Sequence, residues 1–341
     1  MKMTRRSLMG AAAGVSLAGT LAACSTGTSG GTGTATSSIS VGPRATINFG
    51  YIADFNGTSL LAVANDQKLW DKYNINASTK SFTNGPLQIQ ALGTGDLQFG
   101  YIGPGAMWLP ASGKAKVVAI NATGTADRVI AQPGITSIAD LRGKKVAVPE
   151  GTSGDMILQL ALQKNGMTIK DVQKVAMDAS TVVSAFASKQ VDAAGIWYPL
   201  IGTIKQQVPD LVELAKNQDF IDVMAFPNVF VSGPDYPTQH EDVTVRVLKV
   251  LRDAMDWRAA NMDQTIQLVA KMNNVDAAKV KDDAANGEYI KASEWDTRTT
   301  DGTVYKWLDA MNNFFVGAGK LTNPLAGNQY YLGDLWVKAG K

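Results

Sequence analysis

Residues 145–165 read KVAVPEGTSGDMILQLALQKN. Lys145–Pro149 is a short apolar run and predicts a strand. Ser153–Asn165 predicts a helix, stopped by Gly166. The link between them, Glu150-Gly151-Thr152-Ser153-Gly154, is small and hydroxylated, and it lacks the lysine of a phosphate-binding loop. A strand, a Gly-rich turn and a helix make half of a parallel β-α-β unit.

The same grammar runs outward in both directions. Upstream, Thr46–Tyr51, Ile75–Phe82, Leu97–Tyr101 and Ala115–Ile120 read as strands. They alternate with helices over Thr58–Leu69, Leu87–Leu92 and Gly105–Ala111. Downstream of the crossing near 122–130, Arg128–Gln132, Val172–Met177 and Asp192–Trp197 join Lys145–Pro149 as strands. Helices over Ser137–Leu141 and Ser180–Lys189 separate them, and Leu211–Ala215 and Met224–Ser232 are further strand candidates. Stretches at 239–260, 262–273, 275–291 and 300–318 then read as helical. The expectation is an α/β protein of two lobes, parallel within each, with the C-terminal helices returning to the first. Lobe one covers 45–122 and 232–341, and lobe two covers 123–231. Ligand pockets favour such an interface and the carboxyl ends of parallel strands.

The composition removes several classes of chemistry. The chain is 45% hydrophobic and 18% charged, with a net charge of +2. Loss of an N-terminal leader holding Lys2, Arg5 and Arg6 leaves −1, which gives no electrostatic footprint for nucleic acid. The single histidine, His240, beside Pro237 and a Glu-Asp pair, reads as a surface residue at a helix start. The single cysteine is Cys24, so neither a His/Cys zinc site nor a Cys-His nucleophile is available. No Gly-x-Ser-x-Gly elbow accompanies His240. No cofactor, metal or catalytic residue is expected.

Cys24 has a different use. Residues 1–23, MKMTRRSLMGAAAGVSLAGTLAA, combine a cationic start with an apolar run too short to span a bilayer. They read as a signal peptide, and Thr4–Met9 resembles a twin-arginine export signal. Leu21-Ala22-Ala23-Cys24 matches a lipobox, which makes Cys24 the lipidated first residue of an exported, membrane-anchored protein. The Ser/Thr/Gly stretch that follows, to residue 44, is expected to be a flexible tether with a reach of about 25 Å.

Four strand-to-helix junctions carry the candidate chemistry: Ala53–Thr58, Gly103-Pro104-Gly105, Gly151–Gly154 and Asp178–Thr181. Helix starts present unpaired N–H groups and attract oxyanions without Arg or Lys. Any single one is explained by ordinary capping; four across two lobes, beside Tyr51, Phe55, Tyr101, Trp108, Trp197 and Tyr198, point to a binding cleft. Asp54, Asp155 and Asp178 fit equally a partner for the ammonium of a zwitterion or a helix-start carboxylate stabilised by the dipole, and the second reading is favoured for Asp155.

Ile135–Thr152 (ITSIADLRGKKVAVPEGT), Ser184–Pro199 (SAFASKQVDAAGIWYP) and Gly93–Gly100 (GTGDLQFG) resemble the substrate-binding proteins of ABC importers for taurine, aliphatic sulfonates and nitrate. The resemblance extends over about 45–320. It implies a type II periplasmic-binding-protein fold, a ligand cleft closed by lobe movement, and docking on a permease driven by an ATPase. Position by position it places Thr152 and Ser153 at the oxyanion turn, Gly103, Pro104 and Gly105 at the first-lobe turn, and Trp197 at the cleft. Asp54, Phe55, Asn56, Gly154, Asp178 and Tyr198 complete the expected ligand shell. Lys189 stands where the family pattern has glycine. The implied ligand is a small sulfonate such as taurine or an alkane sulfonate, bound by a monomer. Nitrate, an aromatic sulfonate, a pyrimidine precursor of thiamine and a betaine-type cation are the alternatives within that role. An exported enzyme using Asp54 and Glu150 as a carboxylate pair is the rival outside it.

Overall fold

A computed structural model describes residues 42–341. The expected signal peptide, Cys24 and the expected tether as far as 41 lie outside the described residues. The expected tether overruns the folded body by three residues. Asn74 Nδ2 donates to Gly42 O at 2.8 Å, Arg246 Nη1 to Pro43 O at 3.1 Å, and Arg44 pairs with Asp71.

Two sheets carry the fold. The first has the strand order β11-β4-β10-β3-β1-β2, built from β1 (Ala45–Ile52), β2 (Ile75–Phe82), β3 (Phe99–Ile102), β4 (Lys116–Gly124), β10 (Pro227–Ser232) and β11 (Gly287–Glu288). The second has the order β7-β6-β8-β5-β9, built from β5 (Asp127–Ala131), β6 (Lys145–Val148), β7 (Gln173–Ala176), β8 (Ala193–Trp197) and β9 (Val212–Lys216). Each contains a parallel set, β2-β1-β3 and β7-β6-β8.

The expectation of parallel pairing within each lobe needs a correction. In the first sheet β10 inserts antiparallel between β3 and β4; in the second, β5 inserts antiparallel between β8 and β9. Both are strands on which the chain has just crossed from the other sheet, so they enter from the opposite end. The second crossing occupies 217–226, which places Pro227–Val231 in the first sheet rather than in the second lobe. The two connections lie side by side: Gly124 N donates to Phe226 O at 2.9 Å and Thr125 N to Asn286 O at 2.8 Å.

Burial explains why these segments are strands. β3, β4 and β10 are buried along nearly their whole length, as strands covered on both faces must be. Phe49, Phe99 and Phe230 tie β1, β3 and β10 together through a stacked pair at 5.7 Å and an edge-on pair at 5.4 Å; each pair stabilises by about 1 kcal/mol beyond its buried area. The helix Phe55–Asp66 covers this sheet, and Glu241–Ala260 and Met262–Asn273 pack on it in turn. Leu332 N donates to Val117 O, so the C-terminal segment does return to the first sheet.

One expected helix is shorter than predicted. Residues 275–291 are helical only over Ala277–Ala284, because the chain turns at Asn286 and Gly287-Glu288 pairs with Gly124 and Thr123. Conversely, Ala292–Thr300 is a helix of its own before Thr303–Gly317. Lys189 has φ +57°, a left-handed turn position that glycine would occupy without strain. That accounts for the glycine of the family pattern there.

Candidate functional site

The carboxyl ends of the two parallel sets face one another across a small cavity. From the first sheet and its loops come Asp54, Asn56, Tyr101, Gly103 and Asn228; from the second come Asp127, Thr152, Ser153, Trp197 and Tyr198. The cavity volume is about 30 Å³, room for no more than a few water molecules. The lobes are therefore closed on each other. Their closest approach is at Gly105, where an added Cβ would lie 2.1 Å from both Thr152 C and Ser153 N. Nothing larger than glycine fits at that contact. Trp108 Nε1 donates to Gly151 O at 3.2 Å across the same seam.

On the first-lobe side, Asp54 caps the helix Phe55–Asp66, with Oδ1 accepting from Gly57 N at 2.6 Å. Asp283, from the end of Ala277–Ala284, approaches the same helix start and accepts from Phe55 N through Oδ2 at 2.6 Å. Two buried carboxyls thus fill one helix start. Burial is the main cause that raises Asp54 well above the usual carboxyl range, and the charge of Asp283 adds to it against the lowering by Gly57 N–H. Burial likewise pushes Asp283 up to about 7. Tyr101 donates to Asn228 Oδ1 at 2.7 Å, and burial raises its hydroxyl far above the ordinary value. Behind this wall Arg258 is fully buried. It donates to Ser59 Oγ, Asn121 Oδ1 and Asn121 O at 2.9 Å each and faces the Tyr289 ring at 4.8 Å. Burial lowers it to about 10. It does not line the cavity.

On the second-lobe side the helix Ser153–Lys164 has no side-chain cap. Thr152 Oγ1 donates to Pro149 O at 2.6 Å instead, so its proton holds the turn together. Asp155 accepts from Gly151 N at 3.0 Å and from Gln159 at 3.0 Å, a structural role that matches its reading as a helix-start carboxylate. Asp127 is fixed by Asn217 Nδ2 at 3.0 Å and bonds the Ser153 hydroxyl. Burial raises Asp127 despite both of those bonds.

Of the residues predicted for the ligand shell, Asp54, Asn56, Gly103, Thr152, Ser153, Trp197 and Tyr198 line the cavity, and Gly105 forms its lobe contact. Pro104 is buried in the same turn without lining the cavity. The others stand elsewhere. Phe55 is fully buried in a separate cluster, edge-on to Tyr289 at 4.9 Å. Gly154 packs its helix onto β8, where a Cβ would meet Gly195 O at 2.3 Å. Asp178 is exposed at the start of Ala179–Ala187. The rival carboxylate pair is also not assembled. Glu150 is exposed, and Lys174 and Lys320 hold its carboxyl below the usual range rather than poised as an acid. Asp127, Asn228 and Asp283 were not anticipated. The first two flank the inter-lobe crossings, and that position is the signal that would have found them. His240 is exposed and lies 4.5 Å from the Tyr236 ring.

A family model described as NMT1/THI5 like matches residues 59–265. The chain belongs to that family. A protein of Brucella abortus (strain 2308), named only as a candidate binding protein, is 52% identical over 300 residues, covering 88% of this chain and 94% of the relative. The taurine-binding periplasmic protein of Escherichia coli (strain K12) is 22% identical over 262 residues, covering 74% and 80%. Among solved structures, the alkanesulfonate-binding protein SsuA of Xanthomonas axonopodis pv. citri, bound to MOPS, aligns with a TM-score of 0.69 at 21% identity, covering 84% of this chain and 98% of that one. The chain therefore has the periplasmic-binding-protein fold. No helix among the described residues is long and apolar enough to cross a membrane.

Proposed function

We propose that this chain is the lipid-anchored capture component of an ABC importer, exported through its signal peptide and held to the membrane by Cys24, with a small solute enclosed between two lobes. The observation that carries this reading is the cavity itself. It is lined from both sheets, and Gly105 closes against Thr152 and Ser153 with no intervening side chain. A solute of several heavy atoms needs more than the present space, so the lobes part to admit it and close to retain it. The closed form would then dock on the permease.

Within the sulfonate class, an aminosulfonate of the taurine kind suits the lining better than nitrate or a plain alkane sulfonate. The uncapped start of Ser153–Lys164 suits an oxyanion, while the cavity contains Asp54 and Asp127 and neither lysine nor arginine. A second reading, a flat nitrogenous solute such as a pyrimidine, draws support from Trp197, Tyr198 and Tyr101 in the same lining. The roles of Thr152 and Ser153 and the lobe spans belong to this proposal. Calorimetry of the chain from residue 42 with taurine, ethanesulfonate, nitrate and aminopyrimidines tests it. Saturable binding by any of them, abolished in Gly105→Ala, supports capture by closure. Binding that persists unchanged in that variant contradicts it.

A further inference from the structure

Resting on the solute-capture reading, a more specific inference concerns what the solute must carry. We infer that Asp54, Asn56 and Asp127 form a subsite for a protonated nitrogen that bears N–H groups, and that Asp283 is a positioning residue for Asp54.

The lining holds carboxyl and amide acceptors and neither lysine nor arginine; Arg128, outside it, faces Asp127. Asp54 spends Oδ1 on Gly57 N–H, which leaves its second oxygen. Asp127 is held by Asn217 through Oδ2. Asn56 is an independent sign. It is 5% exposed, it lines the same cavity, and its Oδ1 has no hydrogen-bond partner among the described residues. A buried polar atom without a partner is costly and is ordinarily satisfied by something. Among the described residues no group of three or more His, Cys, Asp or Glu is placed to hold an ion. An N–H-bearing cation supplies the missing donors and offsets the buried negative charge. A quaternary ammonium supplies the charge but no donor, and a bare anion supplies neither.

Asp283 is one layer behind. It shares the helix start with Asp54, bonding Phe55 N–H while Asp54 bonds Gly57 N–H. The groups facing this pair are Asp127, Tyr101, Tyr289 and, beyond Tyr289, Arg258; Arg128 faces Asp127. Burial raises Asp54 and pushes Asp283 up to about 7, which favours their neutral forms while no cation is present. A bound cation would release them.

The test uses matched two-carbon probes: taurine, isethionate (the same sulfonate with a hydroxyl in place of the ammonium), and ethylammonium. Calorimetry at pH 8 is run on wild type, Asp127→Asn and Asp54→Asn; asparagine preserves the helix cap, so the second variant keeps the fold. Taurine or ethylammonium should bind at least about tenfold more tightly than isethionate, as expected for a hydrogen bond to a charged group. Both variants should erase that preference while melting within a few degrees of wild type. Asp283→Asn should change the pH dependence of taurine or ethylammonium binding more than its affinity at pH 8, which a merely structural role would not do. Isethionate binding as tightly as taurine overturns the subsite while leaving solute capture intact. Absence of binding by both amines also overturns it, and a co-purified solute seen by native mass spectrometry then decides separately whether the chain captures anything.

Discussion

Two helix starts meet at the cavity, and they are finished in opposite ways. At Phe55–Asp66 the first-turn N–H groups are occupied by Asp54 and Asp283. At Ser153–Lys164 there is no side-chain cap, because the Thr152 hydroxyl turns back to Pro149. The first start has two of its N–H groups bonded by carboxyls, whereas the second has no side-chain cap. On the proposed reading, a pocket built from one of each would recognise a dipolar solute, each lobe contributing one end of that recognition. A matched pair of open starts would suit a bare anion.

Substitutions at and around the two helix starts test that contrast. The largest effect is expected at the seam between the two starts. Gly105→Ala forces a Cβ into the Thr152 backbone, and only separation of the lobes relieves the clash. Solute affinity should fall by about 100-fold or more, close to 3 kcal/mol, with the melting temperature nearly unchanged; isothermal calorimetry alongside a thermal melt checks both.

Asp54→Ala comes next. It removes the cap and should cost about 1 kcal/mol of stability, read by urea denaturation, in addition to weakening solute binding. Thr152→Ala, in the uncapped start, removes only the turn bond to Pro149, for a stability loss of about 1 kcal/mol. Solute binding should weaken less than in Asp54→Ala, since the Thr152 proton is already committed.

A pH titration follows. Asp54, Asp127 and Asp283 are all raised, so the folded chain holds protons that the unfolded chain has lost. Their contribution is neutral below the ordinary carboxyl range and becomes destabilising as pH rises from there to about 7. Melting temperature without solute should fall across that window, and Asp283→Asn should flatten the fall.

The smallest effect is expected at Lys320, which pairs with Glu150 at 3.2 Å and Asp155 at 3.6 Å beside Lys174. These are partly exposed contacts, so Lys320→Ala should cost below about 1 kcal/mol and fade in high salt. A slightly faster solute release, measured by stopped flow, would place the contact among those that hold the lobes shut.

Much of this architecture was legible from local pattern. Short apolar runs bounded by Gly, Asn and Asp marked the strands, and the turn 150–154 announced both the second-lobe helix and its place at the cleft. What was not legible depends on long-range placement. The insertion of β10 between β3 and β4 leaves no mark within its own six residues. Asn286-Gly287 ended a predicted helix because a strand partner waited at Thr123 and Gly124, and tertiary pairing overrode local propensity. Asp283 is the clearest case. Nothing in the helical pattern of 275–291 singles it out, yet it reaches the backbone of Phe55, 228 residues earlier in the chain. Phe55 and Asp178 show the reverse: loop membership suggested a ligand contact, while orientation sent one into the core and the other to solvent.

Capture by closure requires a cavity that closes around its solute. Small-angle scattering of the chain from residue 42, titrated with whichever probe calorimetry shows to bind, tests this most directly. A radius of gyration that falls in step with saturation in wild type, and does not fall in Gly105→Ala, is the predicted result. Saturable binding with an unchanged radius of gyration in both proteins would contradict it.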